Sequence, residues 1–197
     1  MQPSHQAAAR GRPIADLSLL ALPDPPTLAT LSRLASGLPC GHVRAIGGDP
    51  GLHVTLLDVY HFPGHSRLAE LIQVGRRLAP SLDLALTSAP VFRFVGRELH
   101  ADSRSARLAV EPCAVTRKLV RRLVSTVRGV TEHPHLVRRT FSCTLCRGDH
   151  SKHPVPANVR ADLCFDRIAF LVASREPYGE IRWQEVFQLA EQSRGID

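Results

Sequence analysis

One tetrapeptide pattern occurs twice in this chain, once intact and once altered, with the copies 89 positions apart. The first copy is His53-Val54-Thr55-Leu56 and the second is Ser142-Cys143-Thr144-Leu145. Side chains alternate along a strand, so His53 would share a face with Thr55, and Ser142 with Thr144. An imidazole beside a hydroxyl can move a proton and hold a phosphate oxygen. Two copies in corresponding places of two half-chains imply an internal repeat, with a groove between two lobes.

The flanking segments support that division. Ala15–Leu22 reads as a buried strand, and Asp24 caps a following helix with Pro25 at its first position. Leu28, Leu31, Leu34 and Leu38 mark that helix's apolar face. A Gly-rich connection from Gly41 to Gly51 leads to the His53 strand. A second helix is expected from Ser66, with Leu68, Leu71, Ile72 and Leu78 inside. Leu82–Leu86, Val91–Val95 and Ala106–Glu111 read as strands, with Arg97 to Arg104 as a polar connection. Pro112 opens a third helix that buries Val115, Leu119, Leu123 and Val127 and ends at Gly129. Its other face carries Arg117, Lys118, Arg121, Arg122 and Arg128. Thr140–Cys146 is the strand of the altered motif, and Asp149–Asn158 is a polar loop. Phe165–Ala173 and Glu180–Phe187 are the final strands. Alternation of this kind argues for an α+β fold with antiparallel sheets rather than a doubly wound parallel sheet.

A chain of 197 residues suits one domain or two small lobes sharing a sheet. Met1 to Pro13 is polar and reads as a disordered lead-in, leaving residues 14–197 as one bilobal domain. No apolar run is long enough to span a bilayer, and a cytoplasmic location is expected. Five cysteines without a repeated spacing argue against a disulfide framework. The net charge of +7 comes almost wholly from arginine, the only lysines being Lys118 and Lys152. Planar guanidinium groups suit phosphate, and a basic balance favours an anionic partner such as RNA. A host that favours arginine codons would give the same composition.

These residues resemble the 2H phosphoesterase superfamily, in its branch of RNA 2′,3′-cyclic phosphodiesterases, also called 2′-5′ RNA ligases. That family has two H-x-T/S-hydrophobic motifs, one per lobe. The opening Leu19-Leu20-Ala21-Leu22-Pro23-Asp24-Pro25 is similar to the family's first strand, turn and helix. Arg147, the segment Phe165-Asp166-Arg167-Ile168-Ala169-Phe170-Leu171-Val172-Ala173-Ser174 and Tyr178 are similar to its tail. The resemblance covers roughly Asp16 to Leu189. It implies a two-lobed, pseudo-symmetric α+β fold with antiparallel sheets lining a central groove. It also implies metal-free hydrolysis of RNA or nucleoside 2′,3′-cyclic phosphate ends to 2′-phosphate, with no cofactor and no stable protein partner.

By the same resemblance His53 and Thr55 correspond to the first catalytic pair and Thr144 to the second hydroxyl. Ser142 stands where the family has its second histidine. Arg147 is a phosphate contact by position, and Tyr60 or Phe62 could stack on a base. Serine does not titrate near neutrality, and losing one general acid–base group typically costs about 10²–10⁴-fold. The alternative function is therefore a catalytically impaired homologue that binds RNA ends or nucleotides. His135 is a possible substitute acid or base. His61 and His65 could line the groove mouth. Cys143, Cys146, His150 and His153 have zinc-like spacing. Residues three apart on a strand face opposite sides, however, and Phe141–Leu145 holds no Gly or Pro to turn it.

Overall fold

In the computed structural model, the residues described are 14–38, 51–63, 68–86, 91–102, 105–131, 140–147, 158–175 and 181–188. The elements run β1 (Ile14–Pro23), α1 (Pro25–Ser36), β2 (Val54–Pro63), α2 (Leu68–Leu86), β3 (Phe92–Ala101), β4 (Ser105–Pro112), α3 (Ala114–Val130), β5 (Phe141–Arg147), β6 (Asn158–Arg175) and β7 (Ile181–Gln188). All strand pairings are antiparallel. The seven strands lie in the order β1-β2-β5-β4-β3-β6-β7, and β6 also pairs with β1. Six strands thus close on themselves, and β7 lies outside the ring. Phe165 shows the closure directly, with Pro23 of β1 and Phe92 of β3 both as register partners. The expected antiparallel sheets are present, joined edge to edge in this ring.

Strands and helices meet in one main core. Leu17, Leu19, Leu31, Leu56, Leu71, Leu78, Phe92, Phe165 and Phe170 are fully buried there. Phe94 packs edge-on against both Phe141 and Phe165, at centroid distances of 5.6 and 5.5 Å. A small second cluster of Leu20, Ala169 and Leu171, with Leu22 against it, lies apart from that core.

Local chemistry accounts for the helix starts. Asp24 caps α1, its Oδ1 accepting from Thr27 N at 2.8 Å, with prolines in the first turn. Its buried side is built on Thr27 and Leu31, whereas Leu28 is exposed, so the apolar face is narrower than the leucine spacing suggests. In α3 the cap is Cys113, one residue later than expected from Pro112. Leu119, Leu123 and Val127 are buried in α3, but Val115 is exposed because Thr116 takes the inward place. The helix runs past Gly129 to Val130.

Two further expectations are corrected. Leu82–Leu86 is not a strand: α2 continues through Pro80. Leu78, Leu82, Ala85 and Leu86 are buried at helical spacing, and that packing overrides the proline. The polar Arg97–Arg104 segment is mostly strand rather than a connection. β3 extends to Ala101 through a bulge between Gly96 and Glu98. A Cβ on Gly96 would meet Leu108 Cδ2 at 3.3 Å, which explains glycine at that close crossing.

Candidate active site

Val54 of β2 is the register partner of Cys143 of β5, and both are wholly buried. Residues directly opposite in an antiparallel ladder share a face, and neighbours along each strand take the other face. The pairing therefore sets His53 against Thr144 and Thr55 against Ser142, all four on the face opposite Val54 and Cys143. Burial agrees: His53, Ser142 and Thr144 are half-buried, Thr55 is 9% exposed, and Leu56 and Leu145 are fully buried. The two motifs are related by a local two-fold through the Val54–Cys143 pair.

A second two-fold contact ties the halves together. Asp24 N donates to Cys164 O at 3.0 Å, while Cys164 N donates to Thr27 Oγ1 at 2.8 Å. At the positions 89 residues later, Cys113 N donates to Arg93 O at 3.0 Å, and Arg93 N donates to Thr116 Oγ1 at 2.8 Å. Arg93 and Cys164 are themselves register partners. Each helix cap and its buried threonine thus clamp one member of the β3–β6 pair. The 89-residue offset that relates His53 to Ser142 also relates Asp24 to Cys113 and Thr27 to Thr116.

His53 immediately precedes β2, and its Nδ1 lies 2.7 Å from Gly51 O. A carbonyl oxygen only accepts, so Nδ1 carries the hydrogen and Nε2 is the nitrogen that can exchange a proton. Gly51 has φ +69°, a left-handed conformation that turns its carbonyl back toward the ring. Beneath His53, burial pushes the Cys143 thiol up to about 12, opposed by a hydrogen bond from the His53 backbone. Cys143 is therefore a neutral packing group at physiological pH.

The register also brings in a cation that spacing alone did not reveal. Arg107 of β4 is the partner of Thr144, and His100 of β3 is the partner of Arg107. Thr144, Arg107 and His100 form one row across three strands. Arg107 Nη2 donates to Asp102 Oδ2 at 2.6 Å. His100 Nε2 lies 3.4 Å from Glu98 Oε2.

Other candidates fall elsewhere. Tyr60 is 9% exposed and belongs to the main core, so little of its ring is open to a base. Phe62 and Arg147 are placed through their backbones, opposite Ala15 and Ser105, and their side chains lie outside the described residues. His135, His65, His150 and His153 also lie outside them, as does the side chain of His61. The geometric objection to zinc is corrected by a bulge in β5. Cys143 pairs with Leu108 and Cys146 with Ala106, so both cysteines face the core on the same side. Among the described residues no three metal-ligating side chains converge. The basic face of α3 is as expected: Arg117, Lys118, Arg121, Arg122 and Arg128 are exposed.

No family model and no curated protein sequence matches the chain. Solved structures do. Apo LigT from E. coli matches at a TM-score of 0.52 with 14% identity, over 89% of this chain and 95% of LigT. TT0787 from Thermus thermophilus matches at 0.52 with 16% identity, over 88% and 96%. LigT complexed with 3′-AMP matches at 0.51 with 14% identity, over 86% and 95%. The chain has the fold of LigT. Among the described residues no helix is long and apolar enough to cross a membrane.

Proposed function

We propose that the protein is a phosphodiesterase that opens 2′,3′-cyclic phosphate ends of RNA or nucleosides to 2′-phosphates without a metal ion. The observation that carries this reading is the Val54–Cys143 pairing, which gathers His53, Thr55, Ser142 and Thr144 on one face. Water adds to phosphorus, and the P–O3′ bond breaks. The water's proton is lost to a base, and O3′ gains one from an acid. His53 Nε2 serves one of these two transfers, its ring held by the Nδ1–H bond to Gly51 O. Thr55 and Thr144 donate to the non-bridging oxygens as charge builds on them. Arg107, and Arg147 by position, add positive charge. Ser142 binds phosphate but does not titrate, so the second transfer runs through solvent and turnover is slow. The binding of 3′-AMP by LigT, a protein of the same fold, supports a nucleotide ligand.

Ser142 favours a second reading, in which the protein binds RNA ends or nucleotides without turning them over. Incubation with a nucleoside 2′,3′-cyclic phosphate in the presence of a chelator separates the two. Under the first reading a 2′-phosphate accumulates, and His53→Ala abolishes it. Tight binding with no product above the uncatalysed rate supports the second. Neither binding nor product removes both.

A further inference from the structure

A cavity of about 660 Å³ opens between the end of β4, the start of β5 and the first turns of α3. That volume suits a small molecule. Val110, Val120 and Phe141 give it an apolar floor. Val110 and Phe141 are register partners, and their side chains take the sheet face opposite Ser142. The floor is therefore separate from the motif face. Phe141 is only half-buried, and its edge-on contact with Phe94 at 5.6 Å holds the ring in place.

The rim is cationic. Arg97, Arg117 and Arg121 line it, with Glu111 as the only acid among the described residues there, which leaves an excess of two positive charges. Glu111 fixes two of the guanidinium groups. Its Oε2 accepts from Arg97 Nε and Nη2 at 2.9 and 2.6 Å, and its Oε1 accepts from Arg117 Nη2 at 3.0 Å. Arg117 Nε donates to Pro112 O at 3.0 Å. The hydrogen bond and charge of Arg97, then the charge of Arg117, hold the Glu111 carboxyl below the usual carboxylate range. Arg97 and Arg117 each keep an unused Nη1 among the described residues, and Arg121 has no partner among them. Arg117 and Arg121 lie one turn apart on α3, so one anion can reach both.

The internal repeat shows that the fold does not need these charges. At the 89-residue offset, Leu22, Leu28, Ser32 and Leu52 occupy in the first half the places of Glu111, Arg117, Arg121 and Phe141. The first half builds the same strand-to-helix corner, capped by Asp24 where the second has Cys113, with uncharged residues at all four places. The cluster of charge and the aromatic ring belong to the second half alone.

We propose that this cavity is a second ligand site, one that takes a small organic phosphate monoester. The phosphate lies between Arg117 and Arg121 with Arg97 beside them, and the organic body lies on Phe141 and Val110. A phosphate monoester carries about 1.5–2 negative charges near neutrality, which matches the excess on the rim. The volume and the apolar floor require a body that inorganic phosphate lacks. The site is independent of the chemistry proposed for His53 and Thr144.

Titration calorimetry at about pH 7.5, where the monoester is a dianion, tests this with three probes. Phenyl phosphate has the charge and the body, inorganic phosphate the charge alone, and benzoate the ring with a single charge. Wild type and Thr55→Ala/Thr144→Ala, which lacks the motif hydroxyls, should both bind phenyl phosphate about tenfold or more tightly than either other probe. Arg121→Ala should weaken that binding about fivefold or more, and Arg121→Glu should remove the preference. Arg121 is exposed and Ser32 holds its place in the first half, so both variants should keep the wild-type unfolding midpoint. Loss of the preference in Thr55→Ala/Thr144→Ala would put the ligand on the motif face. Its survival in Arg121→Glu, equal binding of all three probes, or binding of none would show that the cavity is no such site. Each of these results overturns the proposal.

Discussion

Val54 and Cys143 sit opposite one another across the β2–β5 ladder, each with no exposed surface. Neither residue can do the proposed chemistry. Together they fix which residues can, because a one-residue slip of either strand would turn its two motif side chains into the core. The β2–β5 contact joins the half-chains beside the site, and the Arg93–Cys164 pair joins them on the far side of the ring.

The clamps on that second pair give the first prediction. Thr116 is fully buried, accepts from Arg93 N and donates to Arg93 O at 3.0 Å, while Thr27 accepts from Cys164 N. Replacing either by valine keeps the shape and strands a backbone group. Thr116→Val and Thr27→Val should each lose about 1–3 kcal/mol in urea unfolding, and Thr→Ser at each place should recover most of it. Neutral valine variants would show that the clamps contribute nothing.

Cys113 does poorly what Asp24 does well. Thr116 N lies 3.5 Å from Cys113 Sγ, against 2.8 Å from Thr27 N to Asp24 Oδ1. Cys113→Asp should stabilise the protein by about 0.5–1 kcal/mol. The thiol itself should be reactive. Partial burial raises its pKa, but hydrogen bonding with the Thr116 side chain and with the backbone of Thr116, Val115 and Arg93 outweighs it and leaves the pKa lowered. Peptide mapping after brief alkylation at about pH 7.5 should find Cys113 modified well before Cys143, whose thiol is held at about 12. The opposite order would mean that this end of α3 is built differently.

Pro80 lies exposed within α2, where it removes a hydrogen bond to the carbonyl four residues earlier. Pro80→Ala should raise stability by about 1–3 kcal/mol and lift Tm by several degrees in calorimetry. A loss of stability would mean that the helix does not run on to Leu86.

Pro80 also shows where sequence and structure part company. Local signals were readable: the Asp24 cap with its prolines, the motif strands, and the buried stripe of Leu119, Leu123 and Val127 in α3. At Leu82–Leu86 a proline before a short apolar run mimics a strand boundary, although Leu78, Leu82 and Leu86 keep the helical period. Cys113 gives no cap signal in the sequence because sulfur rarely takes that role. The placement of Arg107 beside Thr144, and of Ala109 beside Ser142, depends on a long-range β4–β5 register that no local pattern encodes. A shift in that register between Ala106 and Arg107 puts Cys143 and Cys146 on one side, against the simple alternation of a strand. The 89-residue offset was legible from the motifs, but its recurrence in Asp24/Cys113 and Thr27/Thr116 becomes meaningful only when both pairs are seen bonding to the same ladder.

The central claim is that His53, Thr55, Ser142 and Thr144 form one phosphate-handling face, lacking a single imidazole. Steady-state hydrolysis of a nucleoside 2′,3′-cyclic phosphate by wild type, Ser142→His and Ser142→His/His53→Ala tests it most directly. The account predicts a gain in kcat of about 10²-fold or more for Ser142→His. It predicts complete loss of that gain in the double variant, since two imidazoles sharing one proton relay act as a unit. A correctly folded Ser142→His protein that binds nucleoside 2′-phosphate as the wild type does, yet hydrolyses the cyclic phosphate no faster, would contradict it.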